Sequence, residues 1–290
     1  VVFHAQYGQV VMSTGTLVST DWLAANLGQP NLSVVDASWH MPDAGRDAAA
    51  EFQERHIPGA VHFDIDQVAD PSSGLPHTLA DEAHFAAAAG ALGLSENRII
   101  VVYDSAGLFS APRVWWNLKI MGAEHVHVLD GGLPKWLAEG RPVESGEANP
   151  EARTFSPRLD HGAVAHVNDV LVALDADIQI VDARSPGRYR GEEAEPRPGV
   201  RPGHIPGSHN VHYRTLLTAD GRLKTREELA EAFGAGGVDP TRPIITTCGS
   251  GVSAAILALG IEQLGHEVPR LFDGSWAEWG GRQDLPISQG

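Results

Sequence analysis

The chain repeats itself. Val34-Val35-Asp36-Ala37 returns as Ile180-Val181-Asp182-Ala183, 146 residues on. His56-Ile57-Pro58-Gly59 returns as His204-Ile205-Pro206-Gly207, 148 residues on. Asp130-Gly131 and Trp136 return as Asp273-Gly274 and Trp279, each at an offset of 143. Matches in the same order at a nearly constant offset of about half the 290 residues mean a duplicated domain, not a solenoid of short repeats. Each copy is then of ordinary domain size.

Both halves follow one plan. A short apolar strand (Leu32–Asp36, Ile178–Asp182) comes after an amphipathic helix. A second, buried-looking strand (Arg98–Tyr103, Pro243–Thr247) leads through a turn into a helix (Phe109–Met121, Val252–Leu264). A further strand (Val126–Leu129, Val268–Phe272) closes on Asp-Gly. Strands alternating with helices predict an α/β fold, with each copy a mainly parallel sheet flanked by helices. We expect domains over 16–145 and 160–290, joined by a linker over 146–159. Met12-Ser13-Thr14 reads as a native start, so residues 1–15 are set aside as a leader of the kind a vector supplies.

Composition removes several function classes. The net charge of −16 speaks against a nucleic-acid partner, which would call for a basic face. No apolar run approaches the ~18 residues of a membrane span. Cys248 is the sole cysteine, which excludes an intrachain disulfide framework and a multi-Cys zinc site. With no secretory pattern in Val1–Val11, this leads us to expect a cytoplasmic protein. His125-x-His127 and His209-x-x-His212 offer no third convergent ligand, so we expect neither a metal nor any other cofactor.

A lone cysteine is commonly a buried structural residue. The context of Cys248 argues otherwise. It stands at the carboxyl end of a strand, before Gly249-Ser250-Gly251-Val252-Ser253 and a helix. Open α/β sheets place ligands there. The glycines let successive N–H groups turn inward as an anion nest, and the first helical turn adds unpaired donors. Such surroundings favour a nucleophilic thiolate.

The run Cys248–Ala254 resembles the active-site loop of tandem-domain rhodanese sulfurtransferases, in the 3-mercaptopyruvate sulfurtransferase branch. The resemblance extends over Thr16–Ile287. It includes Asp36–Trp39, Arg55–Ala60, Phe63–Asp66, Gly187–Gly191, Gly203–Gly207 and Asp273–Trp276. Ser253 stands where the branch has Thr, which keeps the hydroxyl. The thiosulfate-using branch usually carries Arg-Lys where this chain has Gly249-Ser250. The resemblance implies two rhodanese-like domains. Only the second is active, because Asp104 occupies the place of Cys248 in the first. It implies sulfur transfer from 3-mercaptopyruvate through a Cys248 persulfide to an acceptor: thioredoxin, a small thiol or cyanide.

The same resemblance marks Arg188 and Arg197 as binders of the donor's carboxylate. It also suggests a proton relay Ser250–His77–Asp64, although Asp64 reads equally well as a helix cap. The backbone N–H groups of Gly249, Gly251, Val252 and Ser253 are expected to hold the sulfur anion. Arg184, Arg190 and Arg201 read as structural, as do the repeated His56 and His204. Trp115, Trp116, Trp136, Trp276 and Trp279 read as core or interface aromatics. The rhodanese-like fold also hosts dual-specificity phosphatases, whose loop runs Cys, five residues, Arg; here Ala254 stands at the Arg position. A thiosulfate sulfurtransferase is the alternative within the enzyme class, and a non-catalytic binding protein the alternative outside it.

Overall fold

The computed structural model describes residues 15–290, so the expected leader lies, but for Gly15, outside the described residues. The first sheet comprises β1 (Leu17–Val18), β2 (Leu32–Asp36), β3 (Ala60–His62), β4 (Ile99–Tyr103) and β5 (His125–Leu129), in the order β1-β5-β4-β2-β3. The second comprises β6 (Val164–Ala165), β7 (Gln179–Asp182), β8 (His209–Asn210), β9 (Ile244–Thr247) and β10 (Arg270–Phe272), in the order β6-β10-β9-β7-β8. The two orders match strand for strand, and every pairing is parallel. Helices cover both faces, which is why central strands such as β4 are apolar and buried along their whole length.

The sheets set where the loops emerge. Asp36 lies in register with Tyr103, and Asp182 with Thr247. Asp104 and Cys248 therefore leave equivalent strands at equivalent carboxyl ends. Each loop feeds a helix, Ala111–Ile120 or Ala254–Gln263. The second of these is buried all round from Ala254 to Ile261. A helix apolar on every side needs cover on every side. Its own sheet and the turn Tyr213–Leu216 supply part, and Ala111–Ile120 of the other domain supplies more. One apolar core consequently runs through both halves. Gly107 of the first loop lies against Gly221 of the second domain, and Gly251 of the second loop lies against Arg113 of the first.

The repeated aspartates tie the halves together. Asp273 accepts from Arg113 Nη2 at 2.6 Å and from the Leu79 N–H at 2.7 Å. Its counterpart Asp130 accepts from the Leu223 N–H at 3.2 Å. The repeated histidines are structural: Nδ1 of His56 lies 2.7 Å from Phe52 O, and Nδ1 of His204 lies 2.8 Å from Tyr189 O. Each imidazole stacks on the ring of the same residue, at 4.0 and 3.9 Å. The five tryptophans named above are all buried to within 1%. The segment expected to be a linker is packed rather than loose. Phe155 is buried against Phe85, and Arg153 and Arg158 donate backbone N–H groups to Gly90 and Met121.

Candidate active site

Cys248 is 2% exposed and follows directly on β9. Its backbone is pinned from the far side. Its N–H donates to Ser275 Oγ at 3.3 Å, and its carbonyl accepts from the Trp276 N–H at 2.9 Å. The Gly249 carbonyl accepts from Ala277 at 2.9 Å. Thus the start of the helix Ser275–Trp279 holds the loop from behind and leaves its front open. Sγ accepts the N–H of Gly251 at 3.1 Å. The N–H groups of Gly249, Ser250, Val252 and Ser253 make no hydrogen bond among the described residues, so they stand available as donors.

Gly251 requires glycine, and Gly249 lies under a guanidinium. Gly251 has φ +83°, and a Cβ there would come within 2.6 Å of Arg113 Nη1. A Cβ on Gly249 would come within 2.9 Å of Arg188 Nη2, which places that guanidinium directly over the loop.

Arg188 is oriented by Glu195, with Nη2 at 2.5 Å and Nε at 3.3 Å from the carboxylate. Arg184 is buried on Asp182 and Glu195. Arg190 pairs with Glu192, and Arg201 donates to the carbonyls of Trp279, Gly280 and Leu285. Arg197 forms no ion pair among the described residues. Burial lowers the pKa of its guanidinium; the charge on Cys248 opposes that shift and the nearby Arg188 adds to it.

The other wall comes from the first domain. His77 is 5% exposed and has φ +60°, rare for a residue with a side chain. Its carbonyl accepts from Arg113 Nη2 at 2.7 Å, which helps hold that conformation. Its Nε2 lies 3.4 Å from Arg197 Nη2. Its Nδ1 lies 2.7 Å from Asp66 Oδ1, where the expectation was Asp64. Asp64 is spent elsewhere: as N-cap of the short helix Ile65–Val68 it accepts the Asp66 N–H at 2.9 Å. Asp66, one step into the helix, projects toward the imidazole and also accepts from Trp39 Nε1 at 2.9 Å. The close contact with His77 draws the Asp66 carboxyl below its usual range. Ser250 is buried beside Cys248 in the loop but makes no hydrogen bond to His77.

Residues of both domains thus converge on one cysteine in an anion nest, with two arginines at its mouth. The rhodanese-like domain family matches the chain twice, over residues 19–139 and 167–282. The chain belongs to the rhodanese-like family. Among its relatives, a 3-mercaptopyruvate sulfurtransferase of Mus musculus is 45% identical over 270 residues, 91% of each chain. A thiosulfate sulfurtransferase of Cricetulus griseus is 44% identical over 271 residues, again 91% of each. The crystal structure of SseA from Escherichia coli, a 3-mercaptopyruvate sulfotransferase of rhodanese fold, superposes with a TM-score of 0.84 at 40% identity, covering 91% of this chain and 99% of that one. In rhodanese-like terms, the second repeat holds the thiol and the first holds an aspartate in its place.

The sequence reading gave no role to Asp66, Trp39 or Arg113. The rules of helix capping could have found Asp66. In Asp64-Ile65-Asp66 the first carboxylate falls at the cap, and only the second is free to reach a partner. Arg113 sits in a helix that reads as pure core, and nothing local marks it.

Proposed function

We propose that this rhodanese-like enzyme is a 3-mercaptopyruvate sulfurtransferase with Cys248 as its sulfur carrier. The observation that carries the reading is the loop: a thiol in a nest of free N–H groups, with Arg188 and Arg197 set back from it rather than cations within it. 3-Mercaptopyruvate carries one carboxylate several atoms from its sulfur, and a guanidinium fork suits a carboxylate. Thiosulfate carries its charge on the sulfur group itself and would reward cations in the loop, where Gly249 and Ser250 are neutral.

The Cys248 thiolate attacks the donor's sulfur. The new S–S bond forms as the C–S bond breaks, and that electron pair leaves on carbon as the enolate of pyruvate. The donor's thiol proton is the one the enolate carbon finally takes, so atoms and charge balance. His77 is the group to carry it. Asp66 at Nδ1 fixes the ring proton there and leaves Nε2 as the acceptor facing Arg197. Ser250, two residues after Cys248 in the same loop, adds a hydroxyl. The N–H groups of Gly249, Gly251, Val252 and Ser253 stabilise the sulfur anion of the persulfide. An acceptor thiolate then attacks the outer sulfur and frees Cys248, giving ping-pong kinetics. Thioredoxin, a small thiol or cyanide can fill that role, and a carrier that cycles through a free thiolate suits a reducing compartment such as the cytoplasm.

The test is direct. Incubation with 3-mercaptopyruvate should release pyruvate and add one sulfur atom to the Cys248 peptide in mass spectrometry, and cyanide should remove it as thiocyanate. A kcat/KM for 3-mercaptopyruvate at least about tenfold above that for thiosulfate is expected from one charge-assisted contact. Preference for thiosulfate, or sulfur gain from neither donor, overturns the reading.

A further inference from the structure

We infer that Glu195 sets the charge of donor that the cleft accepts; this deepens the reading above and rests on it. Its side chain is 4% exposed, between Arg184 and Arg188. Arg184 does not need it for charge balance, because Asp182 already engages that guanidinium through Nη2 on Oδ2 and Nε on both carboxylate oxygens. The charge of Glu195 is therefore set against Arg188. Two consequences follow from this one contact. The carboxylate locks the Arg188 side chain with Nη2 over Gly249. It also offsets the charge of Arg188, leaving Arg197 as the guanidinium at the mouth that forms no ion pair among the described residues.

Whatever the other charges of the cleft, the presence of Glu195 changes the potential there by one negative charge. A buried negative charge beside the donor repels in proportion to the donor's own charge, so a dianion meets twice the repulsion of a monoanion. Glu195 thus disfavours thiosulfate and, through Arg188, orients the carboxylate of mercaptopyruvate. The neutral loop at Gly249 and Ser250 omits attraction for a dianion; Glu195 actively opposes it.

The experiment compares kcat/KM for the two donors, with cyanide as acceptor, in the wild type, Glu195→Gln and Glu195→Asp. Glu195→Gln removes the charge and loosens Arg188. Both effects act in one direction, and the donor ratio should move toward thiosulfate by at least about tenfold. Glu195→Asp keeps the charge on a shorter arm. It should raise KM for mercaptopyruvate while the donor ratio stays within about threefold of the wild type. A residue that only supports the fold would lower both donors together. The inference is overturned if the Glu195→Gln ratio equals that of a wild type preferring mercaptopyruvate, or if Glu195→Asp shifts the ratio by tenfold. The second criterion holds even if the Gln variant does not fold. A wild type that uses neither donor sinks the sulfurtransferase reading itself, a separate outcome.

Discussion

Asp104 and Cys248 occupy the same place in the two repeats, and their surroundings show what the place is for. In the first domain the Asp104 carboxylate, 1% exposed, accepts from the N–H groups of Ala106, Phe109 and Ala111 at 2.9, 2.7 and 2.9 Å. The nest is filled by an anion of the chain's own. In the second domain Sγ takes one N–H and four others stay free. Six residues separate Asp104 from its helix at Ala111, and five separate Cys248 from Ala254. The first loop is longer and closes on its carboxylate. The second is tighter and open. One architecture therefore yields a self-satisfied structural turn in one repeat and, in the other, a loop whose backbone donors have no acceptor of the protein's own.

The largest expected effect comes from making the second loop resemble the first. Cys248→Asp should remove sulfur transfer, a loss of order 10⁴-fold or more in pyruvate release, while circular dichroism shows the fold retained. No second cysteine exists to take over. Turnover in that variant would break the comparison outright.

Emptying the first loop should cost stability rather than activity. Asp104→Ala leaves three N–H groups without their acceptor, a loss of about 2–5 kcal/mol on typical values for unpaired buried groups. The urea midpoint should fall accordingly. An unchanged midpoint would mean the carboxylate is not what the nest holds.

Removing either arginine at the open loop tests the substrate side. Arg188→Ala or Arg197→Ala should reduce mercaptopyruvate kcat/KM by roughly 10- to 150-fold, mainly through KM, the worth of one charge-assisted contact. Full activity in both variants would move carboxylate recognition elsewhere.

The two carboxylates of Asp64-Ile65-Asp66 should separate cleanly. Asp66→Asn should lower kcat by about tenfold or more with little change in KM, as expected for a residue that orients an acid–base group. Asp64→Ala should instead cost about 1 kcal/mol of stability, the worth of a helix cap, and leave kcat in place. The reverse pattern would return the relay to Asp64. The pairing of Asp66 with His77 carries a pH signature as well. Its carboxyl lies below the ordinary 3.8, so the contact's contribution is complete above 3.8 and is lost as pH falls through the lowered value. Acid titration of the wild type against Asp66→Asn, followed by unfolding, should show the two curves converge only there.

The sequence by itself determined the duplication, the sheet class, the loop that carries Cys248 and the aspartate that stands in its place in the first repeat. These follow from local patterns: period, strand-to-helix transitions, and the type of residue at one repeated position. The resemblance to the family also pointed to Arg188 and Arg197. Only the tertiary structure decided which carboxylate meets His77, since a cap and a free side chain two residues apart differ in direction and not in composition. Only it showed that Glu195 holds Arg188, a contact set by how the loop after the helix Pro186–Arg190 folds back. And only it brought Arg113 of one repeat beneath Gly251 of the other, because contacts between distant segments depend on how two helices pack, which no local pattern encodes.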